Sequence, residues 1–586
     1  MCGIVGIFKQ KEPVSQKEIQ NAALALKVIR HRGPDCQMLY SDNIAIMGHA
    51  KLSILDFSDK SNQPVESLRS VVILNGEIYN YKDLIRDFEL ENNLLDAGVI
   101  SKLYDKFGID FIKYIDGDFA IGIYDKQLGK TYIIRDRLGV KQIVYKVENN
   151  TIYFASEVKA LASFGIVNAP NIKKIFNDLY MWFWDDKKET YFKDIYHVNP
   201  GTYIEIDKAN IKEHVYWDLK QSYDKKSTTD EIQARLVHST MTRLQGSAKY
   251  ATLLSGGLDS SLLTSIIAKH TPADIFAMTI QYDNSENNID FDYAKTVVEK
   301  YPNIKHNRIL VSRNDISVPL LKKLTYHMEE VIWDKVYFSM FRNYKYAAEN
   351  GFRIVINGQG SDEVWLGYYY DFPFYAMNSI TPDYLSNHFI TKYLKDLSMY
   401  NKSFANKEYL LENATRCLDN FYNGFNKNDH LNSIAYWATK TYLQSNLMQE
   451  DRMSMASSVE CRVPFTDHKF VEMAFALQGK EKIVGMIEKS PVKDIANGYV
   501  PDGIIKRQKQ AFVNPSDNYD VLAIEYLQKH IDEISTSEYM NQLFDSTLWE
   551  DIKKDTRKLP SELYWKISAV YHFLETFNFT KRTTNE

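Results

Sequence analysis

A cysteine at position 2, followed directly by Gly3-Ile4-Val5-Gly6-Ile7-Phe8, constrains this chain more than any other feature. An apolar run so close to the N-terminus reads as a buried strand, so the start of the chain has to be held inside the fold. Removing Met1 would leave Cys2 with a free α-amine beside its thiol. An α-amine titrates near pH ~8 and a thiol near ~8.5. The amine can therefore take the thiol's proton at neutral pH without a histidine. Nucleophile and base then belong to one residue, as N-terminal nucleophile catalysis requires.

With 586 residues the chain is too long for one core, and two or more domains are expected. The 45% hydrophobic and 25% charged content is that of a soluble globular protein. A net charge of −5 gives nucleic acid no basic footing, so no such partner is expected. The four cysteines, Cys2, Cys36, Cys417 and Cys461, form no CxxC pair. Neither a disulfide framework nor a zinc site is indicated, and a reducing cytoplasm fits. No apolar stretch would span a bilayer, and no basic segment precedes a long apolar run as in a signal peptide.

As far as about Ile206 the pattern is one of short strands and turns, among them Ala45–His49, Val71–Leu74 and Thr131–Ile134. Asn75-Gly76 is read as a turn after the second of these. A side-chain amide beside a glycine N–H offers the donors of an oxyanion hole. Five motifs follow in order: Cys2–Gly6, His31-Arg32-Gly33-Pro34-Asp35, Leu52–Asp56, Asn75-Gly76-Glu77-Ile78-Tyr79-Asn80 and Gly117–Ala120. In this the chain resembles the glutaminase domain of class II, N-terminal-nucleophile amidotransferases. The resemblance implies a sandwich of two antiparallel sheets flanked by helices. It also implies Cys2 as nucleophile, Asn75 and Gly76 as oxyanion donors, and Glu77 and Asp96 as holders of the glutamine α-amino group. Lys51 and Ile54 fall in the segment that contacts glutamine.

Three departures from that pattern carry physical weight. Lys51 stands where the family has an arginine for the glutamine α-carboxylate, so charge is kept but the planar fork is lost. Around Asp96 the sequence is Leu95-Asp96-Ala97-Gly98, without the usual polar neighbours. The family's Arg-Asp-Pro-Phe-Gly reads Arg135-Asp136-Arg137-Leu138-Gly139.

The turn at Pro200-Gly201 and the polar stretch near Gln221 to Thr229 are read as the boundary, and the remainder alternates helices and strands. Its decisive segment is the apolar Tyr250–Leu254, then Ser255-Gly256-Gly257-Leu258-Asp259-Ser260-Ser261, then Leu262–Ile267. This is a strand, a small-residue loop and a helix start, where glycines, hydroxyls and the helix N-terminus together hold an anion. No GxxxxGK[ST] occurs, so it is not the loop of phosphate-transferring NTPases. The Ser-Gly-Gly-x-Asp-Ser pattern is that of enzymes that cut ATP to AMP and pyrophosphate. Asn357-Gly358-Gln359-Gly360-Ser361-Asp362-Glu363 follows the apolar Arg353–Ile356, again at a strand's C-terminal end. Asp451–Ala456, Glu460–Phe465 and Glu488-Lys489 come later.

Together with the first domain, these segments resemble glutamine-hydrolysing asparagine synthetases from Met1 to about Phe512. The resemblance implies that Leu253 and Ile280 flank adenine, that Ser255, Gly256, Gly257, Asp259 and Ser260 bind pyrophosphate, and that Gly358 lines the ATP site. Asp259 and Asp362 would bind Mg²⁺, and Lys489 would stabilise the adenylation transition state. Gln359 occupies a position often held by a glutamate proposed to accept a proton from ammonia, and an amide cannot act as that base.

The expected fold is thus an α+β N-terminal-nucleophile sandwich over residues 1–210, then an α/β ATP-pyrophosphatase domain over 228–586 with a parallel sheet and a helical C-terminal part. The expected chemistry is ATP-dependent amidation of aspartate, with glutamine as nitrogen donor and ammonia channelled inside the protein. Amination of another carboxylate, such as a sugar acid, is the alternative. A non-catalytic relative would be expected to lose Cys2 or Asp259. No membrane partner is expected; a homodimer is compatible with the sequence, which does not fix the oligomeric state.

Overall fold

The computed structural model describes residues 2–181, 187–208, 210–223, 226–282, 289–312, 315–332, 336–368, 381, 400–401, 406–423, 425–426, 428–485, 487–509, 517–554 and 561–580. Met1 and Phe512, the limits of the resemblance, lie outside them.

Two six-stranded antiparallel sheets form the first unit. One runs, edge to edge, Tyr196–His197, Val144–Glu148, Thr151–Ala155, Gly3–Lys9, Ala45–Lys51 and Cys36–Ser41. The other runs Ile211–Val215, Thr202–Ile206, Lys130–Arg135, Gly117–Asp125, Ser70–Ile78 and Val65–Glu66. Their facing sides share a core that includes Ile4, Phe8, Met47, Ile73 and Phe154. The helix Gln16–Val28 covers the outer face of the first sheet and Asp96–Phe107 that of the second. Each central strand is thus buried on both faces, which is why Gly3–Lys9 is apolar from residue 3 to residue 8 rather than alternating. A capping box between Ser15 and Glu18 starts the first helix.

Two readings of the sequence are corrected here. Asn75-Gly76 is not a turn. Both residues lie inside the strand Ser70–Ile78, paired opposite Ala120 and Phe119. Gly76 takes φ +135°, and a Cβ there would sit 2.0 Å from the Asp118 carbonyl oxygen, so only glycine fits. The Pro200-Gly201 turn is not a boundary either. It leads into Thr202–Ile206, and Ile211–Val215 pairs with that strand, so the sheet runs past residue 210.

The second unit is built on a five-stranded sheet, all parallel, in the order Ile304–Val311, Ile275–Tyr282, Tyr250–Leu253, Ile354–Ile356, Glu460–Arg462. The first strand in sequence lies at the centre. Chain order therefore reverses between Tyr250–Leu253 and Ile354–Ile356, and the crevice at their C-terminal ends is where such sheets bind ligands. Helices fill the C-terminal part, among them Tyr442–Met455, Asp517–Thr536 and Ser561–Thr576. The α+β sandwich and the α/β unit match the expected fold class.

Candidate active sites

The first centre forms where the two antiparallel sheets meet at the start of the chain. Cys2 is 8% exposed, and its backbone N–H donates to Asn75 Oδ1 at 3.0 Å across the sandwich. The Asn75 carboxamide oxygen is thus engaged, while its buried Nδ2 has no partner. A desolvated donor left unpaired beside a thiol is the arrangement an oxyanion hole needs. Burial pushes the Cys2 thiol up to about 11, against the pull of the Leu52 N–H. Activation therefore has to come from a base at Cys2 itself. The nearby His49 cannot serve, since burial lowers it to about 3 and its Nε2 contacts Leu74 O at 3.2 Å.

Lys51 ends the strand Ala45–Lys51 and is 4% exposed. Its Nζ donates to Ser58 O at 2.8 Å and to Asn62 Oδ1 at 2.9 Å, and no carboxylate pairs with it among the described residues. A buried ammonium with one proton still free suits an incoming carboxylate, but as a point charge rather than a fork. Lys51→Arg should bind glutamine as well or better. Lys51→Ala should raise the glutaminase KM by more than the roughly five- to tenfold that one hydrogen-bond increment of about 1 kcal/mol represents. Steady-state glutaminase kinetics on the three proteins checks this, and an unchanged KM in Lys51→Ala would remove Lys51 from the site.

Glu77 and Asp96 are buried together, 5% and 7% exposed. Glu77 pairs with Arg462 of the second unit at 3.1 Å. Asp96 opens the helix Asp96–Phe107 and accepts the Ala97 N–H at 2.8 Å, with the Ile78 N–H as a further donor. Backbone donors thus supply what the apolar neighbours of Asp96 do not. Burial raises both carboxyls, Asp96 to about 6. Below that pH Asp96 is neutral and cannot pair with an α-ammonium, and above it the charge is present. Glutamine Kd, measured calorimetrically on Cys2→Ala so that no turnover occurs, should therefore fall as pH rises through about 6. Asp96→Asn should bind weakly at every pH. Ile54 is also buried, but its carbonyl accepts N–H groups of Ser247 and Ala248 at 2.8 and 3.1 Å, so it joins the two units.

The second centre is a cavity of about 290 Å³ at the switch point of the parallel sheet. Its floor is the loop between Tyr250–Leu253 and the helix Leu258–His270, with Ser255, Gly257, Asp259 and Ser260 on the wall. Ser260 Oγ bonds both Ser255 N, at 3.1 Å, and Ser255 Oγ, at 3.0 Å, which folds the loop back on itself. Gly256 does not line the cavity. It takes φ +73°, and a Cβ would lie 2.4 Å from Asp290 O, so it shapes the loop. Leu253 and Ile280 supply apolar wall, and Gly358, Asp362 and Lys489 complete it.

Lys489 Nζ lies 2.6 Å from Asp259 Oδ2 and 2.5 Å from Asp362 Oδ1. Lys509, which sequence reading missed, reaches Asp362 Oδ2 at 2.6 Å. The two lysines hold the Asp362 carboxyl well below the usual carboxylate range despite its burial. Among the described residues no group of three or more metal-ligating side chains gathers. Mg²⁺ commonly takes only one or two carboxylates and completes its shell with phosphate and water, and the buried Asp259 Oδ1 is left without a partner. The two carboxylates therefore fit such an ion.

Between the centres lies the helix Tyr442–Met455, whose every residue from Leu443 to Met455 is buried although much of its sequence is polar. That combination, a polar helix with no solvent face, marks out Glu450, which motif reading missed beside the Asp451–Ala456 segment it did single out. Arg32 Nε donates to the Cys2 carbonyl at 3.1 Å, and its NH1 reaches Asp451 at 2.8 Å and Glu157 at 2.9 Å. Arg452 bridges Glu157 at 3.1 Å and Glu329 at 2.9 Å. Glu450 turns the other way, toward the second cavity. It accepts from Asn357 Nδ2 at 2.7 Å, Gln359 Nε2 at 3.3 Å and the Tyr344 hydroxyl. A small cavity of about 10 Å³, on the scale of one water molecule, lies beside it at the junction of the units. Val140 and Lys141 of the sandwich face Glu450, Cys461 and Val463 across it.

The family described as asparagine synthase matches residues 231–576, and the glutamine amidotransferase domain matches residues 1–217. The chain belongs to the asparagine synthase family. It is 30% identical over 411 residues, 65% of this chain and 78% of the relative, to a putative glutamine-hydrolysing asparagine synthetase 2 of Methanocaldococcus jannaschii. It is 25% identical to glutamine-hydrolysing asparagine synthetase 3 of Bacillus subtilis, covering 87% of each chain. An amidase of Gibberella zeae, chry2, is 24% identical over 88% of this chain and 89% of its own. Family membership makes the protein a glutamine-hydrolysing carbon–nitrogen ligase of a family that uses ATP. Among the described residues no helix is long and apolar enough to cross a membrane.

Proposed function

We propose that the protein makes asparagine from aspartate, ATP and glutamine, with the antiparallel sandwich supplying ammonia and the parallel-sheet unit consuming it. The Cys2 sulfur attacks the glutamine side-chain amide while the α-amine of a processed Cys2 takes the thiol proton. The Asn75 Nδ2 and Gly76 N–H groups receive the negative charge of the tetrahedral intermediate. Glu77 and Asp96 hold the α-ammonium of glutamine, and Lys51 its α-carboxylate. Ammonia leaves, and water releases glutamate from the thioester.

At the second centre the β-carboxylate of aspartate attacks the α-phosphorus of ATP, forming an acyl-adenylate and pyrophosphate. The Ser255–Ser260 loop cradles the departing pyrophosphate, and Lys489 offsets charge that builds on it. Asp259 and Asp362 would hold Mg²⁺, which would supply positive charge to offset that of the phosphates. Ammonia then displaces AMP.

The observation that carries this reading is the small interdomain cavity. Lys141, on one side of it, is buried 3.5 Å from Glu460, and Glu450 lines both it and the 290 Å³ cavity. A gap between the two units that shares Glu450 with the ATP-side cavity supports passage of ammonia without release to solvent. The test is a panel of carboxylates with glutamine and ATP, following AMP, pyrophosphate and amidated product. Aspartate should give the highest turnover and yield asparagine. ADP with orthophosphate would overturn the adenylate reading, and turnover with another carboxylate in place of aspartate would overturn the acceptor.

A further inference from the structure

Amination of an acyl-adenylate leaves a proton to be placed. Nitrogen attacks as neutral ammonia and becomes a cationic amine in the tetrahedral intermediate, which must lose a proton before the amide is stable. Gln359, in the loop after Ile354–Ile356, has an amide that cannot take it. Among the described residues five carboxylates line the 290 Å³ cavity: Asp259, Asp290, Asp362, Glu450 and Glu488. Four are committed to cations. Asp259 and Asp362 share Lys489, Asp290 pairs with Arg507, and Glu488 pairs with Lys493 at 3.0 Å. A carboxylate facing a cation is a weak base, because the cation stabilises its ionised form.

Glu450 is different. Among the described residues it has no cationic partner, and its hydrogen bonds come from neutral donors, the Asn357 and Gln359 amides and the Tyr344 hydroxyl. It is 5% exposed, and burial raises its carboxyl above the ordinary value against the pull of those donors and the Cys461 thiol. A raised carboxyl is better matched to accepting a proton near neutrality than an ion-paired one. Its position is equally particular, since it lines the ATP cavity and the small interdomain cavity that Val140 and Lys141 share with it. Anything passing from Cys2 by that route meets Glu450 as it enters the cavity.

We propose that Glu450 is the general base of the amination step, taking over the proton-accepting task that Gln359 cannot perform. The proposal rests on the adenylate chemistry stated above. The new N–C bond forms, one N–H proton passes to a Glu450 carboxylate oxygen, and the C–O bond to AMP breaks with its electron pair leaving on the phosphate. Glu450 returns its proton to water when the cavity opens for product release. The Gln359 contact, the longest of the three at 3.3 Å, is the one the incoming nitrogen displaces. Tyr344, on the helix Val336–Glu349, and Cys461, in the strand Glu460–Arg462, are the titratable groups that face Glu450, with Lys141 across the small cavity.

The test separates amination from adenylation. Wild type, Glu450→Gln and Glu450→Asp are assayed with ammonium for amide formation, and without it for exchange of labelled pyrophosphate into ATP. Amide formation should fall about 10²- to 10⁴-fold in Glu450→Gln, the usual contribution of a general base, and exchange at least tenfold less than that. Glu450→Asp, which keeps a carboxylate but withdraws it by one methylene, should lose amide formation selectively and less severely. Adding Gln359→Glu to Glu450→Gln should restore amide formation at least tenfold. An unchanged amidation rate, a parallel loss of exchange and amidation, or no restoration by Gln359→Glu would each overturn the proposal. If Glu450→Gln does not fold, the same ratio is read from Glu450→Asp, where parallel losses overturn it. A wild-type protein that forms no AMP with any carboxylate would instead overturn the underlying adenylate reading.

Discussion

Cys2→Ala should lose glutamine-supported amidation and glutamate release on the order of 10⁵-fold, the scale on which removing a nucleophile from a catalytic unit acts. It should keep amidation supported by added ammonium. The thiol is the reacting atom of the first centre only, and His49, on the strand paired with Gly3–Lys9, is held neutral by burial and bonded to a backbone carbonyl. No neighbouring side chain can replace the lost nucleophile. The second centre, by contrast, draws its groups from other strands and loops, and ammonia from solution can enter a cavity of about 290 Å³ directly. The substitution removes one sulfur from a site whose backbone N–H bond to Asn75 does not depend on the side chain, so the fold should persist. The measurement is product formation with glutamine and with ammonium, on protein whose thermal melting matches wild type. Loss of both activities in such protein would count against two separable centres.

Lys489→Ala should reduce pyrophosphate exchange on the order of 10³-fold while leaving glutaminase activity in place. Lys489 Nζ sits between two carboxylates, 2.6 Å from Asp259 and 2.5 Å from Asp362. Removing a preorganised donor from a water-poor site costs roughly 10²- to 10³-fold in rate, and here the loss also leaves two carboxylates facing each other. Breaking a buried pair commonly destabilises by about 3–5 kcal/mol, a cost that Lys509, still paired with Asp362, should partly offset. Arginine should not rescue. A Cβ on Gly367 would lie 2.1 Å from Lys489 Cε, so there is no room there for a guanidinium. The check is exchange of labelled pyrophosphate, with thermal melting in the presence and absence of ATP. Exchange in Lys489→Ala within a few-fold of wild type would remove Lys489 from the adenylation step.

Several motifs that carry the family resemblance in the sequence prove to work at the junction of the two units. In His31-Arg32-Gly33-Pro34-Asp35, Arg32 ties the Cys2 carbonyl to Asp451 and Glu157, and Asp35 pairs with Arg353 and accepts the Ser53 N–H at 2.7 Å. Arg462 reaches from the parallel sheet to Glu77 at 3.1 Å, while its backbone carbonyl accepts the Asn357 N–H at 3.0 Å. One residue thus touches the glutamine pocket with its side chain and the ATP-side loop with its backbone. The ions around Arg32 and Arg462 are buried and have few alternatives, because removing one partner strands the other in a medium that cannot solvate it.

What the sequence alone determined is everything carried by local chemistry. A thiol at the second residue, a strand–loop–helix rich in glycine and serine, and a glycine after Asn75 each announce their task through short-range requirements of geometry or hydrogen bonding. Those requirements hold in the fold: Gly76 and Gly256 both take positive φ where a Cβ would meet a carbonyl oxygen. The strand context of Asn75-Gly76 was not legible, since the dipeptide suits a hairpin equally well and only its pairing with Phe119 and Ala120 decides. Nor was the role of Lys509 or Glu450. Lys509 acts only because the chain returns to Asp362, and Glu450 is set apart only by what surrounds it. In the sequence it is one carboxylate among 76 acidic residues. Its burial, its neutral donors and the absence of a cation paired with it among the described residues are properties of packing. Tertiary structure alone decides them, because desolvation and long-range charge depend on which segments meet rather than on the order in which they are joined.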